Sequence, residues 1–124
     1  MVRSKLLLLA SAALGIVTPG CVIYDEDAEL RVFWQFAGAS GCASANVSDV
    51  LVRVEGDSDF FESGFLFCEQ GFIDVPGDFA KGDVIVTVLG FPPQPGAGAT
   101  WAAERLVDLH GGFNEFTFVL VPTF

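Results

Sequence analysis

The sequence predicts an all-β fold, a single β-sandwich of about seven short strands preceded by a signal peptide. Apolar and polar residues alternate with a period of two through most of the chain after position 29, which is typical of half-buried strands. Turn-forming residues interrupt this alternation at short intervals, as in all-β sandwiches. A hydrophobic content of 52% is ample for one packed core.

Seven segments have the strand pattern, and clusters rich in Gly, Pro, Asp or Gln separate them. The first segment places Trp34 on its apolar face, so we expect this side chain in the core. The third is expected to be kinked at Ser63-Gly64. The predicted strands are 30–36, 49–55, 60–68, 72–75, 83–91, 100–109 and 114–122, and the turns between them are 38–41, 56–59, 69–71, 76–77, 92–98 and 111–112.

The last two segments need a separate argument. Residues 100–109 suit either a strand or a short helix, because Ala102–Leu106 has good helix propensity. A strand is favoured since the neighbouring segments are strands. Residues 114–122 are fairly apolar on both faces, which predicts a central position in a sheet.

The N-terminus has the pattern of an export signal. A short basic segment, Met1–Lys5, precedes the apolar run Leu6–Val17, which is too short to span a bilayer. The following Thr18-Pro19-Gly20-Cys21 resembles a lipobox, the processing site of bacterial lipoproteins. The resemblance implies cleavage before Cys21 and a lipid on its sulfur. Ordinary secretory cleavage near Gly20 is the alternative, because Thr18 and Pro19 are unusual in a lipobox.

These features divide the chain into a signal peptide (1–20), a lipidated cysteine with an acidic tether (21–29) and the β-domain (30–124). Val22 follows the cysteine in place of Asp, which favours the outer membrane in the sorting rule for such lipoproteins. The predicted location is therefore the cell envelope, on its periplasmic or surface face. The tether acids lack the spacing of a calcium-binding EF-hand loop.

The charge excludes nucleic acid as a partner. The chain has a formal net charge of −10, and all 16 acidic residues follow position 20, against four of the six basic ones. The mature chain would therefore carry −12. Nucleic acids and anionic lipids both require a positive surface, so we expect the acidity to serve solubility.

Three cysteines are consistent with two roles. If Cys21 carries lipid, Cys42 and Cys68 remain, and two leftover thiols in an exported protein usually form a disulfide. Closing this loop would stabilise the fold by roughly 3 kcal/mol. A redox pair usually has a closer Cys-x-x-Cys spacing, and a zinc site would need more ligands than these thiols and His110 provide.

Four residues are candidates for binding. Asp57 and Asp59 could bind calcium, although Asp-Ser-Asp beside a glycine is also ordinary turn composition. Phe91 and Trp101 flank the 92–98 loop and could form an exposed apolar contact site, with packing as the alternative. His110 precedes Gly111-Gly112 at a strand end, where an exposed turn histidine is expected rather than a catalytic base.

Residues 41–90 resemble the transthyretin-like, carboxypeptidase-regulatory-like β-sandwich modules of exported bacterial proteins. The resemblance rests on Ala45-Asn46-Val47 before a Val-rich strand, the turn and loop 70–76, and Lys81-Gly82 before the strand at 84–88. It implies a non-catalytic folding or interaction module, and the predicted sandwich is transthyretin-like or immunoglobulin-like.

The sequence thus predicts a non-catalytic cell-envelope lipoprotein whose β-sandwich acts as a structural or protein-interaction module. The alternative is a surface lipoprotein that binds a ligand, either carbohydrate or calcium. No residue pattern in the sequence calls for a cofactor, a metal or an enzymatic reaction. The expected partners are the membrane, through the lipid anchor, and an envelope protein or glycan.

Overall fold

The computed structural model describes residues 27–124 and, within them, all side chains except those at positions 77 and 78. This part of the chain is an all-β fold of seven strands. The strands are β1 (Ala28–Phe36), β2 (Asp49–Glu55), β3 (Phe60–Phe67), β4 (Phe72–Phe79), β5 (Gly82–Phe91), β6 (Trp101–Leu109) and β7 (Gly112–Pro122). A one-turn helix, α1 (Cys42–Ala45), precedes β2, and a 3₁₀ turn (Cys68–Gln70) follows β3.

Hydrogen bonding joins the seven strands in the order β3-β2-β5-β6-β7-β1-β4, so β3 and β4 are the two edge strands. All neighbouring pairs are antiparallel except β1 and β7, which run parallel. The parallel pairing is continuous from Ala28 opposite Gly112 to Phe36 opposite Leu120. It brings the first and last strands together.

The sheet is weakly joined between β6 and β7. Only Trp101 with Pro122 and Ala102 with Val121 pair there. On either side of this junction, β5 and β6 pair over nine residues, and so do β1 and β7.

One hydrophobic core collects residues from both sides of that junction. The alternation of each strand explains which side chains enter it, because successive residues point to opposite faces. The residues with no exposure are valines, except for Leu120, and they come from β1, β2, β5 and β7. They are Val32, Val50, Val52, Val54, Val86, Val88 and Leu120.

Several sequence predictions are confirmed. The number of strands is seven, residues 101–109 form a strand rather than a helix, and Trp34 is buried at 6% exposure. β7 lies inside the sheet, between β6 and β1, as its apolar composition predicts. Its outer residues Val119 and Val121 nevertheless remain about half exposed.

Three elements differ from the prediction. The prediction that the fourth strand ends at Pro76-Gly77 is wrong, because β4 continues to Phe79. A proline is tolerated there since β4 is an edge strand and its register with β1 is irregular at this point. The helical turn α1 was not predicted, and β1 begins at Ala28, two residues before the predicted start.

The predicted signal peptide, Cys21 and the acidic tether up to residue 26 lie outside the described residues. Within residues 27–124, no helix is long and apolar enough to cross a membrane.

Candidate interaction surface

The disulfide predicted between Cys42 and Cys68 is present, with a Cα–Cα distance of 6.0 Å. It links α1 to the turn that follows β3. Trp34 holds the same turn through two hydrogen bonds. Its indole N–H donates to the Cys68 carbonyl at 3.0 Å, and its backbone N–H donates to the Gly71 carbonyl at 3.2 Å. The C-terminal end of β3 is therefore held at a fixed position.

The structure does not bring Phe91 and Trp101 together on one surface. Trp101 lies opposite Gly90 in the β5–β6 pair, so it shares the buried face, while Phe91 lies on the outer face. The Trp101 indole N–H donates to the Ala45 carbonyl at 2.9 Å, and its ring packs edge-on against Phe36 at 5.2 Å. Trp101 thus packs against the core, and of these two candidates only Phe91 belongs to an outer surface.

Asp57 and Asp59 lie in the turn between β2 and β3, where Asp59 has a local structural role. Its carbonyl accepts from the Gly56 N–H at 2.8 Å, and its carboxylate accepts from the Ala80 N–H at 3.2 Å. Within residues 27–124, no group of three or more His, Cys, Asp or Glu side chains could hold a metal ion. His110 is exposed, as expected for a turn residue.

Phe91 belongs to an apolar surface that the sequence analysis did not identify. We name it the phenylalanine patch, and it consists of Leu51, Phe65, Phe67, Leu89 and Phe91. Leu51 pairs with Phe65 on one side and with Leu89 on the other. Asp49 lies in the same way between Phe67 and Phe91, so all these residues share the outer face of β3, β2 and β5.

The two patch phenylalanines that lie in β3 are the most exposed members of the patch. Phe65 is 67% exposed and Phe67 is 78% exposed. The Phe65 ring contacts the Phe91 ring edge-on, with centroids 5.1 Å apart, so the two rings meet above β2. Clustered exposed aromatic rings on one face of a soluble domain often mark an interaction site.

One ion pair borders the patch. The Arg53 guanidinium donates to the same Glu62 oxygen from Nε at 3.1 Å and from Nη2 at 2.9 Å. The pair lies on the outer face beside Leu51 and Phe65, and its two charges cancel. Asp49, between Phe67 and Phe91, is a charged residue within the patch itself, and its carboxylate accepts from the Ser48 hydroxyl at 2.9 Å.

The aromatic residues on the outer face of β1, β4 and β7 have a different environment. The Arg31 guanidinium lies 4.6 Å from the Phe72 ring centroid and 5.7 Å from that of Phe113. Arg31 also forms a two-point ion pair with Asp74, at 2.6 and 2.9 Å. A charged network thus adjoins these rings, whereas the two rings of Phe65 and Phe91 contact each other.

The Arg31 pair predicts a measurable titration. The hydrogen bond from Arg31, with added Coulombic attraction, holds the pKa of Asp74 below its ordinary value, although partial desolvation opposes this shift. Because the folded-state pKa is lowered, the pair stabilises the fold above the unfolded-state pKa of about 3.9. This contribution is lost as the pH falls through the folded-state pKa.

We expect Arg31→Gln to raise the pKa of Asp74, as measured by NMR titration of its side-chain carboxyl carbon. Arg105→Gln is the control, because Arg105 lies over the Phe118 ring at 4.5 Å, away from Asp74. An unchanged Asp74 titration in Arg31→Gln would contradict the pairing.

The comparisons add no relative. No model of a known protein family, no curated protein and no solved structure matches this chain. The surface described above is therefore the basis for a functional assignment.

Proposed function

We propose that this protein is a non-catalytic cell-envelope lipoprotein whose β-domain is a protein-interaction module, and that the phenylalanine patch is its docking surface. The observation that carries the proposal is the exposure of Phe65 and Phe67 on a strand fixed by the disulfide. Rigid apolar anchors bind with little loss of conformational freedom, which is how aromatic residues contribute to interfaces.

We further propose that the seven-stranded sheet folds over on itself as a β-sandwich. Two features support this arrangement. The strands β6 and β7 pair at only two positions, which allows the sheet to bend sharply between them. The buried faces of β2 and β5 share one core with those of β1 and β7, as the inner faces of two packed layers do.

Lipid attachment at Cys21, in the outer membrane, completes the proposal. The basic N-terminus, the apolar run and the lipobox-like Thr18-Pro19-Gly20-Cys21 support it. Three acyl chains would hold the domain firmly at a membrane, since two lipid signals already suffice. The first described strand, β1, begins at Ala28, seven residues after this cysteine.

The anchor is tested by metabolic labelling with a radioactive or clickable fatty acid. We expect the wild-type chain to incorporate label and Cys21→Ser to incorporate none, since the acceptor sulfur is gone. Cys42→Ser/Cys68→Ser is the matched control and should label normally. Full labelling of Cys21→Ser would remove the anchor from the proposal.

The docking surface is tested by placing a photo-crosslinking amino acid at Phe67 of the full chain in the cell envelope. We expect a discrete crosslinked adduct from this position. The matched control is Phe113, which is 57% exposed on the outer face of another strand, and it should give no such adduct. No adduct from either position would contradict the proposal.

A substitution within the patch measures its contribution. Burying one phenylalanine side chain is worth about 1.5–3 kcal/mol, so Phe65→Ser should reduce the Phe67 adduct about tenfold or more. Phe113→Ser should leave the yield unchanged. Equal effects of the two substitutions would show that the patch has no special role.

A second candidate function is the binding of a small ligand. It is favoured by a depression of about 360 Å³ beside the disulfide, lined in part by Trp34, Phe36, Ser40 and Glu69. This volume is at the lower end of the range for ligand sites. A rise in melting temperature with calcium or a panel of glycans would support it, because a ligand of the native state stabilises that state.

A further inference from the structure

The two edge strands of the sheet differ in how they are protected. β4 contains Pro76, which cannot donate a backbone hydrogen bond to an incoming strand. β3 contains no proline and no lysine, and its single charged residue, Glu62, is paired with Arg53. Lysine and proline are two of the means by which proteins block edge pairing, and a β-bulge is a third, so a strand added at β3 has to accommodate the bulge described next. β3 is therefore the edge at which another strand could add.

β3 has a bulge at its centre. Arg53 lies opposite Glu62 and Leu51 lies opposite Phe65, so Ser63 and Gly64 together oppose Val52. The Ser63 hydroxyl oxygen accepts from the Val52 backbone N–H at 2.9 Å, and Gly64 adopts a φ of +72°, which favours glycine. The bulge is a defined feature of the strand.

The bulge changes which residues share a face. In a regular strand, residues 60 and 67 would point to opposite faces, because an odd number of steps separates them. With one extra residue at the centre, Phe60 and Phe67 lie opposite the outward-facing Glu55 and Asp49, on the same face. Their exposed fractions, 62% and 78%, agree with this arrangement.

The sequence of β3 is self-complementary about the bulge. Phe60-Phe61 begins the strand, Leu66-Phe67 ends it, and the polar residues lie between them. Two copies of β3 aligned antiparallel, with a two-fold axis at the bulge, would place Phe60 opposite Phe67 and Phe61 opposite Leu66. Paired strands require facing residues to be on the same side of the sheet. Because the bulge places Phe60 and Phe67 on the same face, this antiparallel register satisfies the requirement.

We propose that the partner of the phenylalanine patch is a second copy of this chain, joined by antiparallel pairing of β3 with β3. This deepens the proposed function and rests on it. The pairing adds backbone hydrogen bonds along the free edge and extends the patch with Phe60 of the second copy. The resulting interface is two-fold symmetric, as is usual for homodimers.

The residues of β3 itself add no uncompensated charge against a second copy at this edge. Two chains of formal charge −10 repel each other over most of their surfaces. Along β3 the only charge is that of Glu62, and Arg53 neutralises it at 2.9 Å. β3 itself thus carries exposed aromatic rings and one compensated charge, while the carboxylates of Asp49 and Glu55 lie one strand away from the free edge, on β2.

The register is tested by cysteine crosslinking of the full chain in membranes or detergent. Cross-strand partners have Cβ atoms about 4.5–5.5 Å apart, within reach of a disulfide. Phe60→Cys mixed with Phe67→Cys should therefore form a crosslinked dimer under mild oxidation. Either variant alone should not exceed the wild-type background, because the two cysteines of such a dimer would be about 23 Å apart along the strand. The wild-type chain, which retains Cys21, defines the background.

Mass measurement of the full chain provides the second readout. We expect a dimer for the wild-type chain and for Phe113→Ser, and a shift to monomer of tenfold or more in dissociation constant for Phe67→Ser. Both phenylalanines are more than half exposed, so neither substitution should unfold the domain. A monomeric wild-type chain, or equal crosslinking of the mixture and the single variants, would overturn the self-pairing.

The photo-crosslinking experiment at Phe67 separates this inference from the proposed function. An adduct of twice the mass of the chain supports both. An adduct with a different protein, together with a monomeric purified chain, overturns the self-pairing and leaves the interaction module standing. The absence of any adduct overturns both.

Discussion

Asn114→Asp is expected to lower the free energy of unfolding by about 3 kcal/mol, because it replaces a buried hydrogen-bond donor with an acceptor. Asn114 is 7% exposed, and its amide nitrogen donates to the carbonyls of Glu29, His110 and Gly112 at 3.0, 2.9 and 3.1 Å. The side-chain oxygen accepts from the His110 N–H at 3.1 Å. One side chain thus joins the β6–β7 turn to β1.

The aspartate carboxylate would place an oxygen against three carbonyl oxygens and would have to be buried without a compensating charge. Urea denaturation at neutral pH measures the effect. Asn46→Asp is the matched control, since Asn46 is exposed and has a φ of 58°, a conformation that Asp also tolerates. Its expected effect is within about 0.5 kcal/mol. Equal losses in the two variants would contradict the role of Asn114.

Cys42→Ala/Cys68→Ala is expected to lower the free energy of unfolding by about 3 kcal/mol. The disulfide joins residues 26 positions apart, so its removal returns considerable conformational freedom to the unfolded chain. The strand end that presents Phe67 also loses its covalent link to α1. We therefore expect the variant to show weaker crosslinking at Phe67 as well as lower stability.

Chemical denaturation with and without a reductant measures the contribution of the disulfide. The wild-type chain should lose stability on reduction, whereas the double variant should be insensitive to the reductant. Ala43→Ser, at an exposed position of α1, is the control and should behave as wild type. A double variant as stable as the oxidised wild type would contradict the expectation.

One turn connects the disulfide to the phenylalanine patch. Cys68 immediately follows Phe67, and the Cys68 carbonyl accepts the Trp34 indole N–H at 3.0 Å. Trp34 lies in β1, near the opposite end of the strand order from β3. The hydrogen bond therefore fixes the C-terminal end of β3 to a strand distant in the strand order, and the disulfide fixes it to α1.

The sequence predicted features that depend on neighbouring residues. Alternation predicted the strands because a period of two is a local property of the chain. The pairing of Cys42 with Cys68 followed from the number of cysteines rather than from geometry. Pro76 was misleading because the effect of a proline depends on whether its strand is at an edge, which a local pattern does not contain.

The candidate site could be predicted only in part. Phe91 was identified from its position beside the 92–98 loop, but its assignment with Trp101 to one surface was not supported by the pairing of Gly90 with Trp101. Phe65 and Phe67 were read as part of a strand and not as a surface. The sequence of β3 could have indicated this surface, because the strand is apolar at both ends on both faces. An edge strand cannot bury such a pattern fully.

The sequence by itself determined the all-β character of the domain, the seven extended segments and the identity of the bridged cysteines, because each depends on residue type and spacing along the chain. Only the tertiary structure decided the strand order, the parallel pairing of β1 with β7 and the position of β3 at an edge. These depend on contacts between residues far apart in sequence. The exposure of Phe65 and Phe67 follows from that strand order, since the same residues in a central strand could be covered from both sides.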